Sequence, residues 1–125
     1  MEKLRLIYEG TLPGLNEYTE SNRSGYRQGA KFKRQTEEDL IWIFKSQFKG
    51  QLNGLYNVDF VWIEKDKRRD HDNICSARKF IFDALVKSGI LPDDNWRYIG
   101  NFTDTFLVDK EKPRVELYLW RQSNG

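Results

Sequence analysis

The sequence predicts an α/β domain of the α+β type, in which one mixed sheet packs with two main helices in the order βαβαββ. Three observations support this fold. Short segments near both ends alternate apolar with polar residues, as strands do. Two longer segments between them repeat apolar residues at helical spacing. The length of 125 residues fits one domain covering the whole chain.

The N-terminal part of the chain predicts a strand followed by a loop. In residues 3–9, Leu4, Leu6 and Tyr8 alternate with polar residues, which indicates a strand and not a signal peptide. Residues 10–35 are rich in glycine and charge, and we predict a long basic loop there. Loops of that length in compact domains are usually functional or disordered.

Both predicted helices carry terminal signals. The first begins at Thr36, an N-cap residue followed by three acidic residues, and ends before Gly50. The second runs from about Asp72 to Ser88, because Gly89 is a favourable C-cap and Pro92 prevents continuation. Its predicted core face consists of Ile74, Ala77, Ile81, Ala84 and Leu85.

Three further strands are predicted. Residues 57–64 carry apolar side chains on both faces, which favours a central strand covered on both sides. Residues 98–108 and 114–121 form the last two strands.

Composition excludes several classes of protein. With 38% hydrophobic and 32% charged residues the chain is neither disordered nor fibrous. No apolar run approaches the roughly 18 residues of a membrane span. Cys75 is the only cysteine, so no internal disulfide forms and we expect a small buried side chain in a cytoplasmic protein.

Positive charge is concentrated in two short segments, although the net charge is only +2. Such clusters are typical of surfaces that meet a polyanion, and also of solvated loops. Residues 23–34 contain no acid and residues 65–69 contain one. The predicted phosphate contacts are Arg27, Lys31, Lys33, Lys67, Arg68 and Arg69.

Acidic residues follow the second basic segment. Asp70 and Asp72 lie at the predicted strand-to-helix turn, where one of them could cap the helix. A cap needs one acid, and the pair Asp93-Asp94 comes after the helix. Carboxylates bind hard cations such as Mg²⁺ and Mn²⁺, which phosphodiester hydrolysis uses. A lysine on the same helix, Lys79, could stabilise charge on the phosphorane or protonate the leaving group.

These residues carry a family resemblance. The run Arg69-Asp70-His71-Asp72-Asn73-Ile74, Lys79, residues 83–90 and Asp93-Asp94 resembles the RusA family of Holliday junction resolvases, over about residues 65–120. The resemblance implies a homodimer that cuts four-way DNA junctions with Mg²⁺ or Mn²⁺. It implies Asp70, Asp72 and Asp94 as the essential carboxylates and metal ligands, and Lys79 as the essential lysine.

The spacing departs from the family pattern. Asp72 and Asp83 are 11 residues apart, about one helical turn more than in the family. Counting forward from Asp72 puts the lysine position on Ser76, and counting back from Asp83 puts it on Lys79. One extra turn keeps a residue on nearly the same face, which favours Lys79.

Helix length suggests how the acids could meet. A helix from Asp72 to Ser88 is about 25 Å long, and the six residues from Ser88 to Asp94 span at most about 20 Å. One chain therefore has difficulty placing Asp94 beside Asp72. Two helices packed antiparallel about a twofold axis could share the acids between chains, through an apolar strip of Cys75, Phe82 and Val86. The alternative is that residues 10–35 cover this strip.

Two other functions fit the same residues. One is a metal-dependent nuclease for other branched or flapped DNA. The other is a non-catalytic DNA-binding protein whose acids cap helices. His71 could act as a base, but its alternation with Asp70 and Asp72 points its side chain elsewhere.

Overall fold

The computed structural model describes residues 2–123. The predicted α+β class is confirmed, with one four-stranded mixed sheet in the order β1-β4-β2-β3. β2 is parallel to β3, and β4 is antiparallel to β1 and β2. No helix within those residues is both long and apolar enough to cross a bilayer. The elements are β1 (Leu4–Glu9), α1 (Leu15–Arg23), α2 (Tyr26–Gln47), β2 (Tyr56–Glu64), α3 (His71–Cys75), α4 (Arg78–Lys87), β3 (Ile99–Val108) and β4 (Arg114–Arg121).

The hydrophobic core lies between the helices and one face of the sheet. Leu6, Leu117 and Phe60 face one another across β1, β4 and β2 and are fully buried. Leu40 and Phe44 of α2 join the same cluster. The predicted core face of the second helix is confirmed, since all five residues are buried there: Ile74, Ala77, Ile81, Ala84 and Leu85.

Strand β2 is central, as predicted, because it lies between β4 and β3. The expectation that both its faces are covered is met in full on one face and in part on the other. Val58 and Phe60 pack in the core cluster, whereas on the opposite face Ile63 is buried and Val61 is half-buried, both outside that cluster. The strands β1 and β3 form the two edges of the sheet.

The prediction of a loop over residues 10–35 is wrong, because most of that segment is helical. Helix α2 begins at Tyr26, so Thr36 lies inside it and is not an N-cap. The Thr36 hydroxyl donates instead to the Phe32 carbonyl one turn back, at 3.0 Å. Gly29 is buried where α1 crosses α2, and a Cβ there would overlap the Asn22 side chain. This glycine therefore marks a close helix contact and not a loop.

The predicted continuous helix from Asp72 to Ser88 is also wrong, because the chain forms two helices separated at Ser76 and Ala77. The Ser76 hydroxyl donates to the Asn73 carbonyl at 2.6 Å, the acceptor that the Ala77 N–H would use in a regular helix. The Ala77 N–H bonds to the Ile74 carbonyl instead. This tighter turn interrupts the helix between Asp72 and Lys79.

Candidate functional site

Two carboxylates, Asp70 and Asp72, lie two residues apart where α3 begins. Asp70 is the N-cap residue of α3 by backbone conformation, but its side chain makes no capping hydrogen bond. Asp72 accepts a hydrogen bond from the Asn73 N–H at 3.1 Å. Both acids are exposed. The capping role considered for Asp70 is therefore not filled by its side chain, and both residues keep carboxylate oxygens that can bind an external group.

Asn73, directly after this acidic pair, fastens the turn to α1. Its side chain is buried, with the Oδ1 atom accepting from the Asn16 N–H at 2.9 Å. Its amide donates to Glu17 at 3.1 Å. A Cβ at Gly14 would overlap the Asn73 carbonyl, so the close approach requires glycine at that position. The segment from Leu12 to Tyr18, which had no role in the sequence analysis, thus supports the acidic turn.

Ser76 adds a second link between α1 and this turn. Its Oγ accepts from the Leu15 N–H at 2.7 Å while donating to the Asn73 carbonyl at 2.6 Å. The hydroxyl is therefore used twice within the fold. This argues against Ser76 as a stand-in for the family lysine.

A pair of serine variants tests this link. Ser46 matches Ser76, because its hydroxyl also donates to a carbonyl three residues back at 2.6 Å, but within residues 2–123 the Ser46 hydroxyl makes no hydrogen bond to another helix. We expect Ser76→Ala to lower the free energy of unfolding by about 1 kcal/mol more than Ser46→Ala, because the Leu15 N–H loses its partner. Urea denaturation measures both variants. Equal losses would mean that the bond to Leu15 contributes nothing.

Arg69 holds the basic loop to the rest of the fold. Its Nη1 donates to Glu64 at 3.1 Å and its Nη2 to the Leu12 carbonyl at 3.1 Å. Its Nε lies 2.9 Å from Glu17 Oε1, an ion-pair distance. The sequence analysis predicted that Arg69 contacts a DNA phosphate. In the structure Arg69 is instead paired with two carboxylates of the same chain.

The same contacts act on Glu17. Burial opposes its ionisation, but its own N–H, the Asn73 amide, the Arg69 guanidinium and the Gly14 N–H outweigh burial and hold the pKa of Glu17 below its ordinary value. Because the pKa of Glu17 is lower in the folded chain than in the unfolded chain, its ionised carboxylate stabilises the fold at pH values above the unfolded-chain pKa. This stabilisation is lost as the pH falls through the pKa of Glu17 in the folded chain. The acidic turn is thus anchored most firmly at neutral pH.

Lys79 is grouped with two other acids. Its Nζ lies 3.0 Å from Asp83 Oδ1, one turn along α4. This hydrogen bond raises the pKa of Lys79, with a smaller contribution from the nearby charge of Asp94. Lys79 therefore stays charged, in the electrostatic neighbourhood of Asp94.

The three predicted metal ligands are not brought together within one chain. Asp70 and Asp72 follow the end of β2, whereas Asp94 precedes the start of β3. Since these strands are parallel and Tyr56 pairs with Ile99, the two sets leave from opposite ends of the sheet. The strand between them covers about 26 Å at roughly 3.3 Å per residue. Among residues 2–123, no three His, Cys, Asp or Glu side chains are grouped closely enough to hold a metal ion.

The first basic segment forms a helical stripe. Arg27, Lys31 and Arg34 are exposed and lie within about 60° of one another around α2, because they are spaced by four and three residues. Lys33 lies about 120° from Arg27 around α2 and borders a cavity that Arg34 and Glu37 also line. Of the predicted phosphate contacts in this segment, Arg27 and Lys31 therefore share one face of the helix and Lys33 lies on a neighbouring one.

The second basic segment lines a cavity that it shares with α1 and α2. This cavity of about 570 Å³ lies between α1, α2 and the loop after β2. Arg68 at its rim has an 87% exposed side chain and a loose contact with Asp66 at 3.6 Å. Ion pairs this exposed contribute little, so Arg68 is available to another anion. The residues from α2 are Phe32, Gln35 and Thr36, and those from the loop are Lys65, Asp66, Arg68 and Arg69.

Two aromatic features escaped the sequence analysis. Trp42 has 73% of its surface exposed and lies about 60° from Arg27 around α2, so it extends the basic stripe. His71 stacks on Phe106 with ring centroids 4.0 Å apart. The helical spacing of Trp42 from Arg27 could have revealed the first feature. The second depends on a contact between α3 and β3 that no local pattern encodes.

The structure shows the surroundings of two residues of the apolar strip expected on the second helix, Phe82 and Cys75. Phe82 packs edge-on against Phe60 of β2 and Phe102 of β3, so the sheet covers this member of the strip. Cys75, expected to be buried, is half-buried, with its thiol directed at the Asp72 carbonyl at 3.8 Å.

Comparisons with known proteins give no relative: no protein-family model matches the chain, and no curated protein matches its sequence.

Proposed function

We propose that this protein is a metal-dependent endonuclease that resolves four-way DNA junctions by phosphodiester hydrolysis. The observation that carries the proposal is the pair of exposed carboxylates, Asp70 and Asp72, held on a braced turn beside the basic loop that ends at Arg69. Carboxylates next to cations are what such hydrolysis requires, because acids bind the metal while basic residues bind the phosphate backbone. The RusA-like motif gives the proposal its substrate.

The donor set at this turn fits Mg²⁺ or Mn²⁺. Magnesium in phosphate-processing sites is usually held by one or two carboxylates, water and substrate oxygens, and Asp70 and Asp72 offer two. Asp70 is free of a capping bond and is a ready ligand. The ion would lower the pKa of a bound water and neutralise charge on the attacked phosphate. The chain's own contribution is to keep the two carboxylates fixed through Asn73, which bonds to α1.

A homodimer is part of the proposal. Asp94 leaves from the end of the sheet opposite Asp70 and Asp72, and its charge contributes to the raised pKa of Lys79. A twofold axis would let one chain's Asp94 and Lys79 complete the site built on the other chain's Asp70 and Asp72. Lys79 would there stabilise charge on the leaving oxygen. Two such sites also match a junction in which two strands are cut.

The direct test is incubation of the protein with a labelled four-way junction, a flapped duplex and a linear duplex, each with Mg²⁺ or EDTA. We expect the protein to cleave the four-way junction and neither of the other two substrates, and to do so in Mg²⁺ but not in EDTA. Preferred cleavage of the flap would assign a different branched substrate. Binding without cleavage of any substrate would favour a non-catalytic DNA-binding protein and overturn the proposed activity.

The basic stripe on α2 supplies a prediction about binding. We expect the double variant Arg27→Ala, Lys31→Ala to weaken junction binding and reduce its salt dependence by about two units of slope for each protomer, one for each lost phosphate contact. Fluorescence anisotropy of a labelled junction over a series of salt concentrations measures the slope.

A matched control removes the same charge at the other end of the molecule. Lys3 and Lys49 are exposed and lie near the start of β1 and the end of α2. The double variant Lys3→Ala, Lys49→Ala is expected to keep the wild-type slope. The same slope in both double variants would place the DNA away from α2.

A further inference from the structure

We propose that the ring pair of His71 and Phe106 is a stacking subsite for one unpaired nucleobase at the branch point of the DNA, an inference that rests on the proposed function. The two rings are stacked and nearly parallel, with an angle of 3° between their planes and centroids 4.0 Å apart. His71 is exposed and Phe106, on the edge strand β3, is half-buried. Phe106 therefore supports the imidazole as a flat platform on the surface.

The surroundings of the platform suit a base attached to a phosphate. A cavity of about 420 Å³ adjoins the rings, within the range of about 300–1,000 Å³ typical of small-ligand sites. Its apolar wall includes Leu107 and Val108, which are 50% and 49% exposed. Exposed apolar side chains on an edge strand are a liability unless something covers them.

The charged residues around this cavity indicate which kind of ligand it would bind. The cavity has two acidic residues, but Glu64 is paired with Arg69, and Asp66 accepts the Arg68 N–H. Lys67 at the rim is exposed and has no carboxylate partner within residues 2–123. An aromatic platform with an available cation beside it is the combination that single-stranded nucleic acid binds, because bases stack and the cation meets the phosphate.

Position links this subsite to the proposed chemistry. His71 lies between Asp70 and Asp72 in sequence, so its Cα is about 3.8 Å from each of theirs. A base stacked on His71 would belong to a nucleotide next to the phosphate that the two carboxylates address. The ring pair would thus act as a positioning element that favours branched DNA, where bases can leave the stack, over linear duplex.

The test uses 2-aminopurine, a base whose fluorescence is quenched by stacking, placed in turn at each branch-point position of a four-way junction. The protein is added in EDTA so that no strand is cut. We expect one position to change its fluorescence with wild type and with His71→Phe, which keeps a flat ring, and to lose the change with His71→Ala. Junction affinity should fall about tenfold in His71→Ala, with linear-duplex affinity unchanged.

Three results would overturn the subsite. These are an equal fluorescence change in wild type and His71→Ala, a His71→Phe variant as defective as His71→Ala, and a shift of oligomeric state in His71→Ala that marks the platform as a contact between chains. Phe106→Leu removes the ring beneath His71 and should also abolish the 2-aminopurine fluorescence change. Since the readout is binding in EDTA, it is independent of whether the wild-type protein cuts DNA in Mg²⁺, the result on which the proposed function depends.

Discussion

Replacing Asp72 or Asp70 with asparagine is expected to reduce junction cleavage by roughly a thousand-fold while junction binding is retained. Metal stabilisation of the reacting phosphate is worth several kcal/mol, and each 1.36 kcal/mol is a factor of ten in rate. Asparagine keeps the size of the side chain but loses the charge that holds the ion. The fold should persist, because Asp70 makes no capping bond and an Asn oxygen at position 72 can still accept the Asn73 N–H.

Single-turnover cleavage of a labelled junction in Mg²⁺ measures this effect, with anisotropy in EDTA to measure binding. The matched control is Asp39→Asn, an exposed acid on α2 whose carboxylate accepts only from Gln35, at 3.0 Å. The control should cleave at the wild-type rate. Normal cleavage by Asp72→Asn would show that the active site is misplaced, and full cleavage in EDTA would reject the metal mechanism.

Mixing inactive Asp72→Asn protein with inactive Asp94→Asn protein is expected to restore strand cutting. If each site takes Asp72 from one chain and Asp94 from the other, a mixed dimer concentrates both lesions in one site and leaves the second intact. Random exchange makes about half of the dimers mixed, so about one quarter of the sites should be active. The product should be a junction nicked in one strand, because a mixed dimer has only one working site.

The control for this experiment is a mixture of Asp72→Asn with Asp70→Asn protein. Those two lesions lie on the same turn, so a mixed dimer carries one lesion in each site and no activity should return. Subunit exchange is verified first with differently tagged chains. Exchange without recovered nicking in the first mixture would mean that each site belongs to one chain, and the shared-site arrangement would be abandoned.

Local sequence patterns predicted the sheet and the buried helix face well. The alternation of Leu4, Leu6 and Tyr8 gave β1 within one residue, and all five apolar positions of the second predicted helix are buried. Both patterns arise because a side chain's direction repeats with a fixed period along its own element. The same local logic identified Asp70 and Asp72 at the turn between β2 and α3.

Glycine and threonine misled the prediction for residues 10–35. Gly29 was interpreted as a loop residue, although it permits the contact with Asn22, and Thr36 was interpreted as a helix start although its hydroxyl bonds backwards within α2. Glycine can form a loop or permit a close contact between helices, and threonine can cap a helix or bond within one. The sequence alone does not distinguish these roles. Arg69 illustrates the same limit, since its partners Glu17 and Glu64 come from separate elements.

The strands, the buried helix face, the acidic turn and the basic segments were predictable from the sequence, because all of these follow from periodicity and from neighbours in the chain. Their arrangement depends on contacts between elements that are distant in the chain. The parallel register of β2 and β3 separates Asp94 from Asp70, the docking of α1 on Asn73 braces the turn, and the approach of β3 to α3 stacks His71 on Phe106. These contacts join residues far apart in sequence, so their geometry depends on packing of the whole sheet and its helices and not on any local preference.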